Sequence, residues 1–151
     1  MRVQDLMSQP AVTCHVNDSA STAAHLMADH DCGMIAVVRD DGQLAGVVTD
    51  RDLCMAAFSQ GRPLDEILVN SAMAQHVVTA TPDLKIIEAE QRMAEHRIRR
   101  LPVVDGDGKP IGVIAVSDLA IECVQPDTPM KYGPLEIAHT LAAICEHRWT
   151  A

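Results

Sequence analysis

Thr49 and Asp52 stand three residues apart, where the apolar run Leu44-Ala45-Gly46-Val47-Val48 ends. A hydroxyl and a carboxylate at that spacing have two uses. They cap the helix that follows, the threonine oxygen accepting from a first-turn N–H and the acid reaching back to the cap. They also suit a ligand: first-turn N–H groups meet an anion, and an acceptor-only carboxylate takes the hydroxyl donors of a diol. One turn can serve both. The second feature is His96-Arg97-Ile98-Arg99-Arg100, the densest positive cluster in a chain of net charge −9. Guanidinium forks suit phosphate oxygens. A basic helix end facing its own C-terminal dipole explains Arg97 as well, and Arg99 less so. Cys14-His15 would be a reactive or metal-binding pair, or a packing cysteine beside a surface histidine.

No catalytic constellation accompanies these residues. The chain has no phosphate-cradling Gly-rich loop, no nucleophile elbow and no H-E-x-x-H. Its seven histidines lack metal-ligand spacing, so no enzyme activity, catalytic cofactor or metal is expected. The acidic balance disfavours nucleic-acid backbones and anionic membranes. Aromatic residues are only 2% (Phe58, Tyr132, Trp149), too few for base-stacking platforms. No apolar run approaches the ~20 residues of a membrane span. Met1-Arg2-Val3-Gln4-Asp5 lacks the pattern of a signal peptide. The five cysteines are odd in number and unclustered, which suits reduced thiols in a cytoplasm.

The elements that must position Thr49, Asp52 and the arginines come from a repeat. A shift of 66 positions lays Val3–Leu53 over Val69–Leu119 without a gap, and about a third of the aligned positions are identical. Each copy starts with a short apolar piece (Ala11–Cys14; Val77–Ala80), followed by a helical spacing of Ala20, Ala23, Ala24, Met27 or Ile86, Ala89, Met93. Two β-rich runs then flank an Asp-x-Gly turn, at Asp41-Gly42 or Asp107-Gly108. A second helix starts near Asp50 and near Ser117. The expected fold is α+β: two β-α-β-β-α repeats packed through their sheets with pseudo-two-fold symmetry, plus a C-terminal helix. The boundaries read as repeat 1 over 1–60, a linker over 61–68, repeat 2 over 69–124, and a linker with a C-terminal helix over 125–151. Pro134 suits the first helical turn of that tail. Its apolar stripe reads as Leu135, Ala138, Leu141, Ala142 and Cys145, packed on the core or on a second subunit.

In Gly46-Val47-Val48-Thr49-Asp50-Arg51-Asp52-Leu53, and in the runs Gly33–Val38 and Arg99–Val104, the chain resembles tandem CBS-domain proteins, or Bateman modules. The resemblance covers roughly residues 2–122 in two in-phase copies. It implies a non-enzymatic regulatory module whose cleft binds an adenosine-containing ligand: AMP, ADP, ATP, NAD or S-adenosylmethionine. Thr49, Asp50 and Asp52 would hold ribose and phosphate, with Arg99 and Arg100 opposite them on the phosphate. His15, Val16, Cys32, Met34 and Ile35 would line the adenine.

The second motif, Gly112–Asp118, departs from the family pattern. Ala115 replaces the Ser/Thr, and the residues implied to oppose it are Gly33 and Met34. A second site would comprise Thr81, Ile98, Leu101, Ser117 and Asp118, with one competent site per chain. The resemblance also implies a homodimer and an unidentified protein effector. The competing reading is a structural or interaction module with vestigial pockets, acting through dimerisation.

Overall fold

The computed structural model describes residues 1–125 and 133–145. Most of the expected linker, with Tyr132, and the end of the tail, with His147 and Trp149, lie outside these residues. The elements are β1 (Thr13–His15), α1 (Ala20–Asp29), β2 (Met34–Val38), β3 (Leu44–Thr49), α2 (Asp50–Gln60), α3 (Val69–Ala72), α4 (Ile86–His96), β4 (Arg100–Val104), β5 (Pro110–Ala115), α5 (Val116–Cys123) and α6 (Pro134–Cys145). The α+β class and the repeated order are as the sequence implies, apart from the short added helix α3 and one lost strand. Val77–Ala80 does not form a strand; its pairing shrinks to one parallel bridge, Ala80 to Val103.

These elements form two compact units. The first-repeat unit spans Pro10–Val77 and takes in the Asp105–Pro110 turn. Its sheet runs β1-β2-β3, with β1 parallel and β3 antiparallel to β2. Ile35, Val37 and Val48 point from the sheet into a core shared with Ala20, Ala23 and Met27 of α1 and Leu53 and Ala56 of α2. Ser19 starts α1 by accepting from Thr22 N–H (3.1 Å). Gly61, in the left-handed region at φ 60°, ends α2.

The second-repeat unit comprises Met1–Gln9, Val78–Val104 and the described residues from Ile111 on. Its sheet pairs β4 with β5. Ile86, Met93, Leu101, Ile114 and Leu119 form a core that Ile137 and Ile144 of α6 complete. Burying each of those two isoleucines contributes about 1.5–3 kcal/mol.

Each unit takes its leading segment from the other repeat. In the second-repeat unit Val3 N–H donates to Leu84 O (2.9 Å), and Ser8 pairs with Val113. The first-repeat unit has the equivalent set, Val69 N–H to Asp18 O (2.8 Å) and Ala74 paired with Val47. This explains the glycine of each motif. A Cβ on Gly46 would stand 2.6 Å from Ala74 O and 2.7 Å from Met73 Sδ; on Gly112 it would stand 2.7 Å from Ser8 O. Only glycine lets the leading segment approach so closely.

The tail differs from expectation in which face it buries. Ile137, Thr140 and Ile144 are buried against α4 and α5, whereas the expected stripe of Leu135, Ala138, Leu141, Ala142 and Cys145 is exposed. Thr140 Oγ1 donates to Glu90 Oε1 (2.6 Å), which satisfies a carboxylate buried on α4.

Candidate functional site

The Thr49–Asp52 turn lies where β3 passes directly into α2. Thr49 keeps an extended backbone (φ −109°, ψ 164°) as N-cap, and a reciprocal box closes around it. Thr49 N–H donates to Asp52 Oδ2 (2.8 Å), Thr49 Oγ1–H donates to the same oxygen (2.7 Å), and Asp52 N–H donates to Thr49 Oγ1 (3.2 Å). The capping use is therefore realised, yet it occupies one carboxylate oxygen. Among the described residues no hydrogen bond reaches Asp52 Oδ1. Asp50 is exposed at the first helical position and accepts from Arg51 N–H (2.8 Å).

The strands determine which candidates join this turn. Met34 pairs with Thr49 across β2 and β3, so the start of β2, with half-buried Cys32 just before it, reaches the turn. Ile35, one residue on, is fully buried in the core. His15 pairs with Val38, four residues along β2 from Met34 and so on the order of 13 Å away. His15 and Val16 thus stand at the opposite end of the sheet from Thr49. There His15 Nδ1 accepts from Asn17 N–H (3.2 Å), which leaves the proton on Nε2 to donate to Asp40 Oδ1 (2.7 Å). Because β1 runs parallel to β2, its beginning is what reaches the Met34 end. Val12 O accepts there from Ala36 N–H (3.2 Å). Sequence reasoning missed Val12 as a neighbour of the site, although a parallel β1 would have pointed to it.

The second-repeat unit holds the other turn. Ala115 has nearly the same backbone (φ −125°, ψ 158°) but no hydroxyl, so only Ala115 N–H to Asp118 Oδ2 (2.7 Å) remains of the box. Burial raises the Asp118 pKa above its usual value, against the opposing effects of the Ala115 N–H and the Arg100 charge. Arg99 and Arg100 flank this turn, since Val116 N–H donates to Arg99 O (3.0 Å) and Arg100 opens β4. Both side chains are exposed, and Arg99 also donates to Cys145 Sγ (3.8 Å). Arg97 ends α4 in the left-handed region at φ 54°, and its repeat equivalent Asp31 shares that region at φ 48°, one residue past His30, which ends α1.

The other second-site candidates have varied surroundings. Leu101 is fully buried, Ile98 packs on the core, Ser117 is exposed on α5, and Thr81 donates to Asp83 Oδ1 (2.7 Å). That bond is the main cause holding the exposed Asp83 carboxyl below its usual range. Cys14 is buried, and burial, aided by Asp18, pushes its thiol up to about 11. The thiol is therefore protonated at neutral pH, which favours the packing role. Among the described residues no three His, Cys, Asp or Glu side chains could hold a metal ion, and no helix is long and apolar enough to cross a membrane.

Comparison with known proteins places these turns in a family. Residues 3–59 and 66–125 each match the CBS domain. The CBS domain-containing protein YhcV of Bacillus subtilis is 38% identical over 119 residues, covering 79% of this chain and 83% of YhcV. An uncharacterized protein of Methanopyrus kandleri, MK0525, is 32% identical over 117 residues, and the matched region spans only 60% of its length. Among solved structures, the CBS domain pair of protein MJ0100, in complex with 5′-methylthioadenosine and S-adenosyl-L-methionine, superposes with a TM-score of 0.73. It is 26% identical, covering 80% of this chain and 98% of that one. With both repeats matched and a relative of this identity aligned over most of its own length, the chain belongs to the CBS-domain family and carries two CBS domains in tandem.

Proposed function

We propose that the chain is a non-enzymatic regulatory module that binds an adenosine-containing ligand at the Thr49–Asp52 turn. The observation that carries this reading is the division of labour within one carboxylate. Asp52 Oδ2 takes both cap bonds from Thr49, while Oδ1 takes none among the described residues. An ionised oxygen held in place by its partner is a ready acceptor for the two hydroxyls of a ribose. Each such charge-assisted bond contributes on the order of 1.5–3 kcal/mol. Cys32 and Met34, beside the turn at the start of β2, offer an apolar surface for the base. The complex of MJ0100 with two adenosine-containing molecules supports the ligand class.

Arg99 and Arg100 belong to the proposal as the cations for a phosphate, a role that rests on the resemblance alone. The ligand would be AMP, ADP, ATP, NAD or S-adenosylmethionine, bound at one site per chain. Its effect would come from unequal affinity for two conformational or assembly states of a cytoplasmic homodimer, read by a protein effector. Thermal unfolding with each ligand tests the class. Unfolding should move upward with at least one of them and not with its 2′,3′-dideoxy analogue. No upward shift with any of the five would overturn the reading.

A further inference from the structure

The repeat relates two helical grooves, and among the described residues only one is filled. In the second-repeat unit α6 lies on α4 and α5, where its Ile137–Ile144 face covers Met93 and Leu119. The first-repeat equivalents of those two are Met27 and Leu53. They line a groove between α1 and α2 together with Ala24, Asp50, Cys54, Ala57 and Leu64, open among the described residues. Burial records the difference: Met93 and Leu119 are 0% exposed, Met27 7% and Leu53 4%. Apart from Asp50 the groove lining is apolar or sulfur-bearing, and Ala24 stands where the covered groove has Glu90. Phe58 is 81% exposed and follows Cys54 by one helical turn along α2, which puts it at the groove's rim.

α6 carries a second apolar face to match. Leu135, Ala138, Leu141, Ala142 and Cys145 are all exposed, roughly a third of a turn round from the buried Ile137–Ile144 line. A helix that already seats one face in a groove of this kind thus shows a second face, and the equivalent groove lies open among the described residues. We propose that the groove between α1 and α2 receives the outward face of α6 from a second copy of this chain. Each copy then offers one face and one groove, so a two-fold pair satisfies both at once. The inference does not depend on the ligand reading, and its test needs no ligand.

Sedimentation of the full chain across roughly 1–100 μM tests it. The wild-type chain should be a dimer, and Leu141→Lys or Phe58→Asp should each weaken the dimer at least about tenfold. Both side chains are exposed, at 38% and 81%, so circular dichroism should be unchanged. An equal mixture of the two variants should restore dimers, because a heterodimer pairs the new lysine with the new aspartate and leaves the other contact intact. In the wild-type dimer a short bis-maleimide should join Cys54 of one copy to Cys145 of the other. A monomer throughout, a dimer indifferent to both variants, or weakened variants that fail to recover on mixing would each overturn the proposal.

Discussion

Thr49→Ala turns the first box into a copy of the second, and the repeat supplies the control. The substitution removes the Thr49 Oγ1–H bond to Asp52 Oδ2 (2.7 Å) and the longer acceptance from Asp52 N–H (3.2 Å). It leaves Thr49 N–H to Asp52 Oδ2 (2.8 Å), the bond that Ala115 and Asp118 keep at 2.7 Å. Losing an N-cap side chain costs about 1 kcal/mol. In a chain of this size that lowers Tm by roughly 2–4 °C. The reverse change, Ala115→Thr, places a hydroxyl on a backbone already within about 20° of Thr49's in both φ and ψ. It should regain a similar amount. Urea and thermal unfolding followed by circular dichroism measure both variants, with an unchanged m-value as the check that only stability moved. A Thr49→Ala cost under ~0.3 kcal/mol, or an Ala115→Thr variant less stable than wild type, would refute the assignment of the hydroxyl to the cap.

Gly46→Ala forces a methyl to within 2.6 Å of Ala74 O and disturbs the paired Val47–Ala74 bonds (3.0 and 2.8 Å). It should cost roughly 2–4 kcal/mol in urea unfolding, from overpacking together with weakened backbone bonds. The Cys14 thiol, raised to about 11 in the fold, keeps its proton where an unfolded thiol, at about 9.0, loses it. Its contribution to stability is full below pH ~9 and is lost as pH rises toward ~11. A Cys14→Ser variant should therefore show a flatter stability–pH curve over that range, and at pH 8 Cys14 should label more slowly than exposed Cys54. Arg100→Ala should weaken AMP or ATP at least about tenfold while leaving S-adenosylmethionine, which has no phosphate, within about threefold by calorimetry.

The repeat made most of the fold legible. Matching Gly, Asp and apolar positions at one offset locate both hairpins and both motif helices. What stayed hidden depends on non-local pairing. Val77–Ala80 has the composition of a strand, but its pairing narrows to the bridge at Ala80. The exchange of Val3–Ser8 with Val69–Ala74 leaves only an indirect trace, the glycines whose Cβ the exchanged carbonyls exclude. In α6 the sequence offers two apolar faces at helical spacing. Periodicity cannot choose between them when the choice turns on the Glu90–Thr140 pair, fifty residues apart.

At the site, the local chemistry of Thr49-x-x-Asp52 was readable because a capping box is a local object. The placement of His15 was not. It follows from the direction and register of β1 against β2, which carry that residue to the far end of the sheet from Thr49.

Calorimetric titration of Asp52→Asn beside wild type, with AMP, ATP, NAD and S-adenosylmethionine, tests the central claim most directly. The amide oxygen can still accept from Thr49 N–H and keep the cap, while an NH2 replaces the oxygen proposed for the ribose. The account predicts submillimolar wild-type binding of at least one ligand, weakened by about tenfold or more in the variant at nearly unchanged Tm. Equal affinity in the two proteins would contradict it.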